Sequence, residues 1–152
     1  IHQSMTLYEL IQILEDVAIA QPSVQMVVEN DVYRLNEIAD ARYGVFAFTQ
    51  GAHAATADND LITYNLTLFY VDRLAGDNSN QGEVQSTGVL VLDNILMTLS
   101  ERGVVVGDYS LQPFNQRFAD MCAGIYASVA LSVPRTATCP ELYDNMQGKE
   151  VR

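Results

Sequence analysis

Residues Leu61–Arg73, with the sequence LITYNLTLFYVDR, alternate in side-chain character along their whole length. An alternation with a period of two is typical of a β-strand, because successive side chains point to opposite faces of a sheet. One set of alternate residues is large and apolar: Ile62, Tyr64, Leu66, Leu68 and Tyr70. The other set begins polar and ends apolar: Thr63, Asn65, Thr67, Phe69 and Val71. This pattern predicts a central strand with one face covered throughout and the other covered only towards its end.

A second long strand is predicted at Ala119–Val133, where apolar and smaller residues again alternate. Pro134 should end this strand, because proline has no amide hydrogen for a sheet. The C-terminal Arg135–Arg152 segment is expected to be an extended tail, and residues 1–4 are expected to be a lead outside the fold. All 152 residues are assigned to a single domain, since a chain of this length is large enough to bury a core of its own.

Two amphipathic helices are also predicted. The first begins after Thr6, which forms the spacing of a capping box with Glu9, and its apolar residues recur every three or four positions. The second extends from about Gly82 to Arg102, and Gly103 suits the position that follows a helix C-terminus.

Shorter strands are expected at Ser23–Asn30 and Tyr43–Gln50, with strand-like pieces at Val104–Val106 and Tyr109–Pro113. Phe114–Phe118 is interpreted as a bulge or a wide loop. The resulting order, α-β-β-β-α-β-β, predicts an α+β fold. Its antiparallel or mixed sheet would have four to five strands, with both helices packed on one face.

The net charge of −11, from 19 acidic and eight basic residues, argues against a protein that grips nucleic acid. Tight binding to DNA depends on lysine and arginine side chains that replace counterions along the phosphates. Neither a membrane-spanning apolar run nor a secretory signal peptide is present in the sequence, so a soluble protein made inside the cell is expected.

Candidate metal ligands are scattered. Cys122 and Cys139 each lack a second cysteine or a histidine at ligand spacing, so both are expected to be free thiols rather than zinc ligands. The loop that starts at Asp77 resembles the opening of a calcium-binding loop, but Gly88 stands where the twelfth, bidentate carboxylate is needed. A polar turn that caps the following helix, with Ser79 or Asn80 near the cap, is the expected structure.

The two histidines give no catalytic pattern. His2 lies in the lead and His53 in a predicted loop, where it has small neighbours and no local side chain to orient it. Since a nucleophile–base pair needs a histidine held by a third group, we predict no enzymatic activity and no cofactor.

Features that suggest protein partners are clearer. Gly51–Asp60 is predicted to be a long hairpin loop, and the two long strands lack the lysine or proline residues that usually protect a free sheet edge. Asp72 and Arg73 form either a surface ion pair or a contact to a partner. The hypothetical interface therefore comprises Gly51, His53, Asp58, Asp60, Asp72 and Arg73.

The element order, together with the closing strand segment Ala123–Leu131 (AGIYASVAL), resembles the tail-completion or tail-terminator proteins of tailed bacteriophages. Phe69–Leu74 (FYVDRL), followed by Ser79-Asn80 and Val84–Ser86, is similar to small virion proteins from phages of Bacteroidales, including crAss-like phages. The resemblance extends from about Met5 to Pro134 and contains no catalytic signature.

This resemblance implies a virion protein that is made in the bacterial cytoplasm and lies at the head–tail junction. It would form a ring of six or twelve copies. Its partners would be copies of itself, connector or portal-side proteins and tail proteins, with DNA passing through the ring, no specific DNA binding and no membrane contact. Gly51–Asp60 would then be the projecting hairpin tip. Two alternatives are a small α+β ligand-binding or regulatory module, and a metal-dependent hydrolase that uses Asp72, Asp77 or His53.

Overall fold

A computed structural model describes residues 5–31, 43–57, 59–117 and 121–135. The elements in chain order are α1 (Leu7–Ile19), β1 (Met26–Val28), β2 (Val45–Gln50), β3 (Ala54–Ala55), β4 (Leu61–Arg73), α2 (Gln81–Glu101), β5 (Val105–Val106), β6 (Gln112–Arg117) and β7 (Met121–Pro134). The predictions for the lead and for the segment from 136 to 152 lie outside the described residues.

The two long predicted strands, β4 and β7, form the centre of the sheet. They pair antiparallel along their whole length, from Leu61 opposite Pro134 to Arg73 opposite Cys122. The sheet is mixed, because β1 pairs parallel to β2 while the other pairs are antiparallel, and its order is β1-β2-β4-β7-β5. In addition, β3 pairs with β4 and β6 pairs with β7. The predicted α+β class is confirmed, with seven strands in the described part of the chain.

Both helices pack on one face of the sheet, as predicted, and form one apolar core with it. The core includes large, fully buried side chains from the helices and the central strands: Leu10, Leu14, Leu66, Leu68, Leu92, Ile95, Leu96 and Leu99. Gly88 allows α2 to approach the sheet closely, because a Cβ atom there would lie 2.9 Å from Cγ1 of Ile125.

The helix ends follow their sequence signals. The Thr6 hydroxyl accepts a hydrogen bond from the Glu9 amide at 3.2 Å, and the Glu9 carboxylate accepts one from the Thr6 amide at 3.3 Å, which is the predicted capping box. Gly103 has a φ of 92°, as expected for the residue after the C-cap. The Val104 amide then donates to the Leu99 carbonyl at 3.1 Å, which satisfies one of the last carbonyl groups of α2.

Two assignments near the C-terminal half are wrong. Phe114 does not lie in a bulge or a wide loop, because Gln112–Arg117 forms β6 and pairs with the outer edge of β7. Tyr109 and Leu111, predicted as strand, instead pack against the helix-side core. The Tyr109 hydroxyl donates a hydrogen bond to the Asp93 carboxylate at 2.7 Å, so tertiary contacts with α2 replace strand pairing there.

We call the sheet surface opposite the helices the open face. Near one end of β4 it carries hydroxyl pairs across to β7: Thr63 with Ser132 at 2.8 Å, and Thr67 with Ser128 at 3.1 Å. Towards the other end, the Phe69 ring contacts two aromatic rings, of Phe114 and Tyr126, with 6.1 Å between centroids in each pair. Beyond it lies a buried apolar cluster: Val28, Val45, Ala47, Val71 and Cys122. This gradient confirms the face predicted to be polar first and apolar later.

Within the described residues, neither helix combines the length and the hydropathy that a membrane span requires.

Candidate assembly surface

The hairpin between β2 and β4 contains a β-bulge. Gln50 pairs with Leu66, whereas the next pair is Ala54 with Thr63, so residues 51–53 oppose only residues 64–65. One extra residue on one strand defines a bulge and bends the strand locally. The prediction that all of Gly51–Asp60 is a loop is therefore wrong in part, because the strand resumes as β3 at Ala54–Ala55.

Side chains replace the ladder hydrogen bonds that the bulge interrupts. The Asn65 amide donates to Nδ1 of His53 at 3.1 Å, and the Asn65 side-chain amide donates to the Ala52 carbonyl at 2.6 Å. Because a backbone amide can only donate, Nδ1 is the acceptor and Nε2 carries the hydrogen that bonds to Oε1 of Gln50 at 3.0 Å. The expectation that His53 lacks an orienting neighbour is wrong: its ring is fixed on both nitrogens.

The turn between β3 and β4 is held by Arg135. Its guanidinium Nη1 donates to the carbonyls of Thr56 at 2.8 Å and Asn59 at 3.1 Å, and its amide donates to the Asp60 carbonyl at 2.8 Å. Hydrogen bonds from a charged donor are stronger than those between neutral groups. Arg135 therefore belongs to the fold rather than to the predicted tail, and it stiffens the turn at the far end of the hairpin.

We define the hairpin tip as residues 51–57 together with 59–60. Every one of these residues is exposed, and most are small or polar. The same end of the sheet also receives Met5, whose amide donates to the Pro134 carbonyl at 3.2 Å. The tip is therefore exposed but already held in place by side-chain hydrogen bonds. Because it is ordered before it binds, docking would lose less conformational entropy.

The residues proposed for the interface fall into two separate groups. Gly51, His53 and Asp60 lie at the hairpin tip, while Asp58 lies outside the described residues. Asp72 and Arg73 lie at the opposite end of β4, roughly 23 Å from the position of Gly51 and His53 beside Asn65, and roughly 40 Å from Asp60. The structure therefore does not bring the whole set together.

At that second end, Asp72 contacts Arg73, and Arg73 also contacts Tyr43. The Arg73 amide donates to Oδ1 of Asp72 at 2.7 Å, and the Arg73 guanidinium lies over the Tyr43 ring, 5.0 Å from its centroid. A guanidinium at this distance over an aromatic face is attracted to the ring.

A polar cleft of about 360 Å³ lies between the end of β4 and the start of α2, and Asp72 and Glu83 are among its lining residues. The buried Tyr70 hydroxyl donates to the Ser23 carbonyl at 3.4 Å there. Burial, followed by the charge of Asp72, raises the pKa of Tyr70 to about 12. His53 lies beside Asn65 and not among the residues that line this cleft, so within the described residues the cleft does not combine imidazole and carboxylate as the hydrolase alternative requires.

The loop before α2 is a polar turn, as predicted, but the expected side-chain cap of the helix is not formed. The Ser79 amide donates to Oδ1 of Asp77 at 3.1 Å, and hydrogen bonds from Ser79 lower the pKa of Asp77. Asn80 is the N-cap residue, but its side chain bonds to the Ala75 amide and the Arg73 carbonyl rather than to the helix. Across the described ranges, no three or more acidic, histidine or cysteine side chains gather as a metal site would need.

No protein-family model matches this chain, and no curated protein matches it in sequence. The resemblance to phage tail-completion proteins accordingly stays a prediction, while the α+β fold rests on the structure itself.

Two residues that shape the tip were missed from the sequence. Arg135 directly follows the long strand β7, whose end pairs with Leu61, so the strand register could have placed it beside the turn. Asn65 is the only residue of β4 with an amide side chain. A residue that can form hydrogen bonds to the backbone in this strand could have indicated the bulge.

Proposed function

We propose that this protein is a non-enzymatic structural subunit that assembles into a ring at the head–tail junction of a tailed bacteriophage. The phage setting rests on the resemblance of its element order and strand segments to tail-completion proteins. Because folds of one class serve many functions, the fold alone does not carry this step. The hairpin tip carries the assembly part of the proposal, since it is exposed and stiffened by Arg135 and Asn65.

A tip of this kind suits docking between copies in a head-to-tail ring. The described tip residues from Gly51 to Ala57 are small or polar, so a neighbouring backbone could approach them closely. A contact between two different patches of the same protein closes into a ring when the rotation between copies permits it.

The charge distribution supports a conduit for DNA. Exposed carboxylates lie on both helices, including Glu9 and Asp16 of α1 and Glu83 and Glu101 of α2. A ring with its helix layer turned inward would present a negative wall, which repels the DNA backbone rather than binding it. DNA would then pass without adhering to the protein.

Light scattering after size-exclusion chromatography tests this proposal on the full chain. We expect a species of about six or twelve times the 16.8 kDa chain mass at high protein concentration. The variant Ala55→Glu, which adds charge at the exposed tip, should be monomeric. Gly82→Glu should still assemble, because no neighbouring atom lies within 4 Å of the position that a Cβ would take there.

A monomeric native chain at every concentration, with or without a connector protein, would contradict ring assembly. A ring that forms equally well with Ala55→Glu would instead show that assembly uses a surface other than the hairpin tip.

A further inference from the structure

The imidazole of His53 takes the place of a backbone carbonyl in the bulge between β2 and β4. The Gly51 amide donates to the Asn65 carbonyl at 2.8 Å, as in a regular ladder. In a regular antiparallel pair the Asn65 amide would return a bond to residue 51. Here it donates to Nδ1 of His53 at 3.1 Å instead. One ladder hydrogen bond of the hairpin therefore depends on a side chain that can take up a proton.

Only a neutral ring can make this bond. A protonated imidazole carries a hydrogen on both nitrogens and accepts no hydrogen bond. The bond from Nε2 to Oε1 of Gln50, at 3.0 Å, survives protonation because Nε2 is already the donor. The bond to Nδ1 does not survive, since two donors would then face each other. Histidine is the side chain whose charge ordinarily changes between pH 5 and 8, so this conflict arises in mild acid.

The His53 ring packs against a buried aromatic residue of β4. It lies nearly perpendicular to the Tyr64 ring, with 5.3 Å between the centroids and an angle of 84° between the planes. Burial, followed by the charge of Glu9, raises the pKa of Tyr64 above its ordinary value of 10.0. The Tyr64 hydroxyl therefore stays neutral over the range in which histidine titrates.

The charged side chains at this end of the sheet bond to other groups. The Glu9 carboxylate of α1 accepts from the Thr6 amide, and the Arg135 guanidinium donates to two carbonyls of the turn after β3. Asp60 lies in that same turn, beyond β3. Within the described residues, the polar and aromatic contacts of the His53 ring are to uncharged groups.

We infer that protonation of His53 opens the bulge between β2 and β4, so that the hairpin tip is ordered at neutral and basic pH and loosens in mild acid. The opening is local, because the bonds from the Gly51 amide to the Asn65 carbonyl and from the Asn65 side chain to the Ala52 carbonyl do not involve the ring. This switch goes beyond the proposed function, since it concerns the order of the hairpin in a single chain whether or not copies assemble.

Exchange of the Asn65 amide hydrogen with solvent, measured by nuclear magnetic resonance at pH 8 and pH 5, tests the switch on the native chain. After correction for the intrinsic rate at each pH, we expect protection to fall roughly fivefold at pH 5, as for the loss of one hydrogen bond of typical net strength. The nuclear coupling across the bond between the Asn65 amide nitrogen and Nδ1 of His53 should be present at pH 8 and absent at pH 5.

Two matched variants separate His53 from other titrating groups. His53→Asn places a carbonyl oxygen near the position of Nδ1, and this oxygen accepts a hydrogen bond without titrating. Protection of the Asn65 amide in this variant should therefore be the same at pH 5 and pH 8. His2→Asn, which removes the only other histidine of the chain, should behave like the native chain.

Equal protection of the native Asn65 amide at the two pH values would overturn the inference. An equal fall in His53→Asn would also overturn it, because the pH effect would then arise at another group. If His53→Asn fails to fold, the nitrogen chemical shift of Nδ1 in the native chain decides, since it distinguishes an accepting nitrogen from one that carries a hydrogen. An Nδ1 that accepts at pH 8 and carries a hydrogen at pH 5 supports the switch, whereas one that carries a hydrogen at pH 8 refutes it.

Discussion

Replacing Gly88 by alanine should test how closely α2 packs on the sheet. The added Cβ would lie 2.9 Å from Cγ1 and 3.1 Å from Cβ of Ile125, and 3.2 Å from Cδ2 of Tyr70. Neither neighbour moves easily, because Ile125 is buried in the central strand β7 and Tyr70 is buried in β4. Overfilling a packed core typically costs about 1–3 kcal/mol.

The helix itself favours alanine, which offsets part of that cost by up to about 1 kcal/mol. We therefore expect Gly88→Ala to lower the free energy of unfolding by about 1–2 kcal/mol. The matched variant Gly82→Ala gains some helix propensity without a steric cost, because no atom lies within 4 Å of its new Cβ. It should be unchanged or slightly more stable.

Urea unfolding followed by circular dichroism measures both variants. With a slope of about 2 kcal/mol per molar urea, the midpoint of Gly88→Ala should fall by roughly 0.5–1 M relative to the native chain. In a double-mutant cycle with Ile125→Ala, the alanine at position 88 should cost much less, because the main obstructing atom is gone. Equal stability of Gly88→Ala and Gly82→Ala would refute the close packing.

Three further variants test individual contacts. Arg135→Ala should increase hydrogen exchange and proteolytic cleavage at residues 56–60, with a loss of about 1–2 kcal/mol, whereas Arg102→Ala at the exposed end of α2 should leave the turn unaffected. Thr6→Ala should lower the free energy of unfolding by about 1 kcal/mol, whereas Thr6→Ser should keep most of the native stability because serine can also cap the helix. An equal loss of stability in the two variants would exclude the cap. Tyr109→Phe should lose about 1 kcal/mol at neutral pH by removing the bond to Asp93. That bond, followed by burial, raises the pKa of Tyr109 from 10.0 to about 12, so the native advantage should disappear as the pH rises from 10 to 12. A constant difference between the two chains over this range would contradict the assignment.

Much of the architecture could be predicted from local patterns. The alternation in Leu61–Arg73 identified the central strand and both of its faces, and the Thr6–Glu9 pair and Gly103 marked two helix ends. β6 was harder to predict, because most of the residues in Gln112–Arg117 are polar, Pro113 lacks an amide hydrogen, and the strand is stabilised by pairing with β7.

The hypothetical interface could be predicted only in part from neighbouring residues in the sequence. Small and polar residues identified the exposed hairpin, but its bulge depends on Asn65, twelve or more positions from its partners His53 and Ala52. The Arg135 hydrogen bonds likewise join residues that lie 76 and 79 positions apart in the chain.

The sequence by itself determined the alternating strands, the helix caps, the α+β class and the acidic charge, because each follows from neighbouring residues or from composition. Only the tertiary structure decided that His53 is fixed rather than free and that Arg135 holds the turn. These contacts join separate segments, and their geometry depends on strand register and helix packing, which no single stretch of sequence encodes.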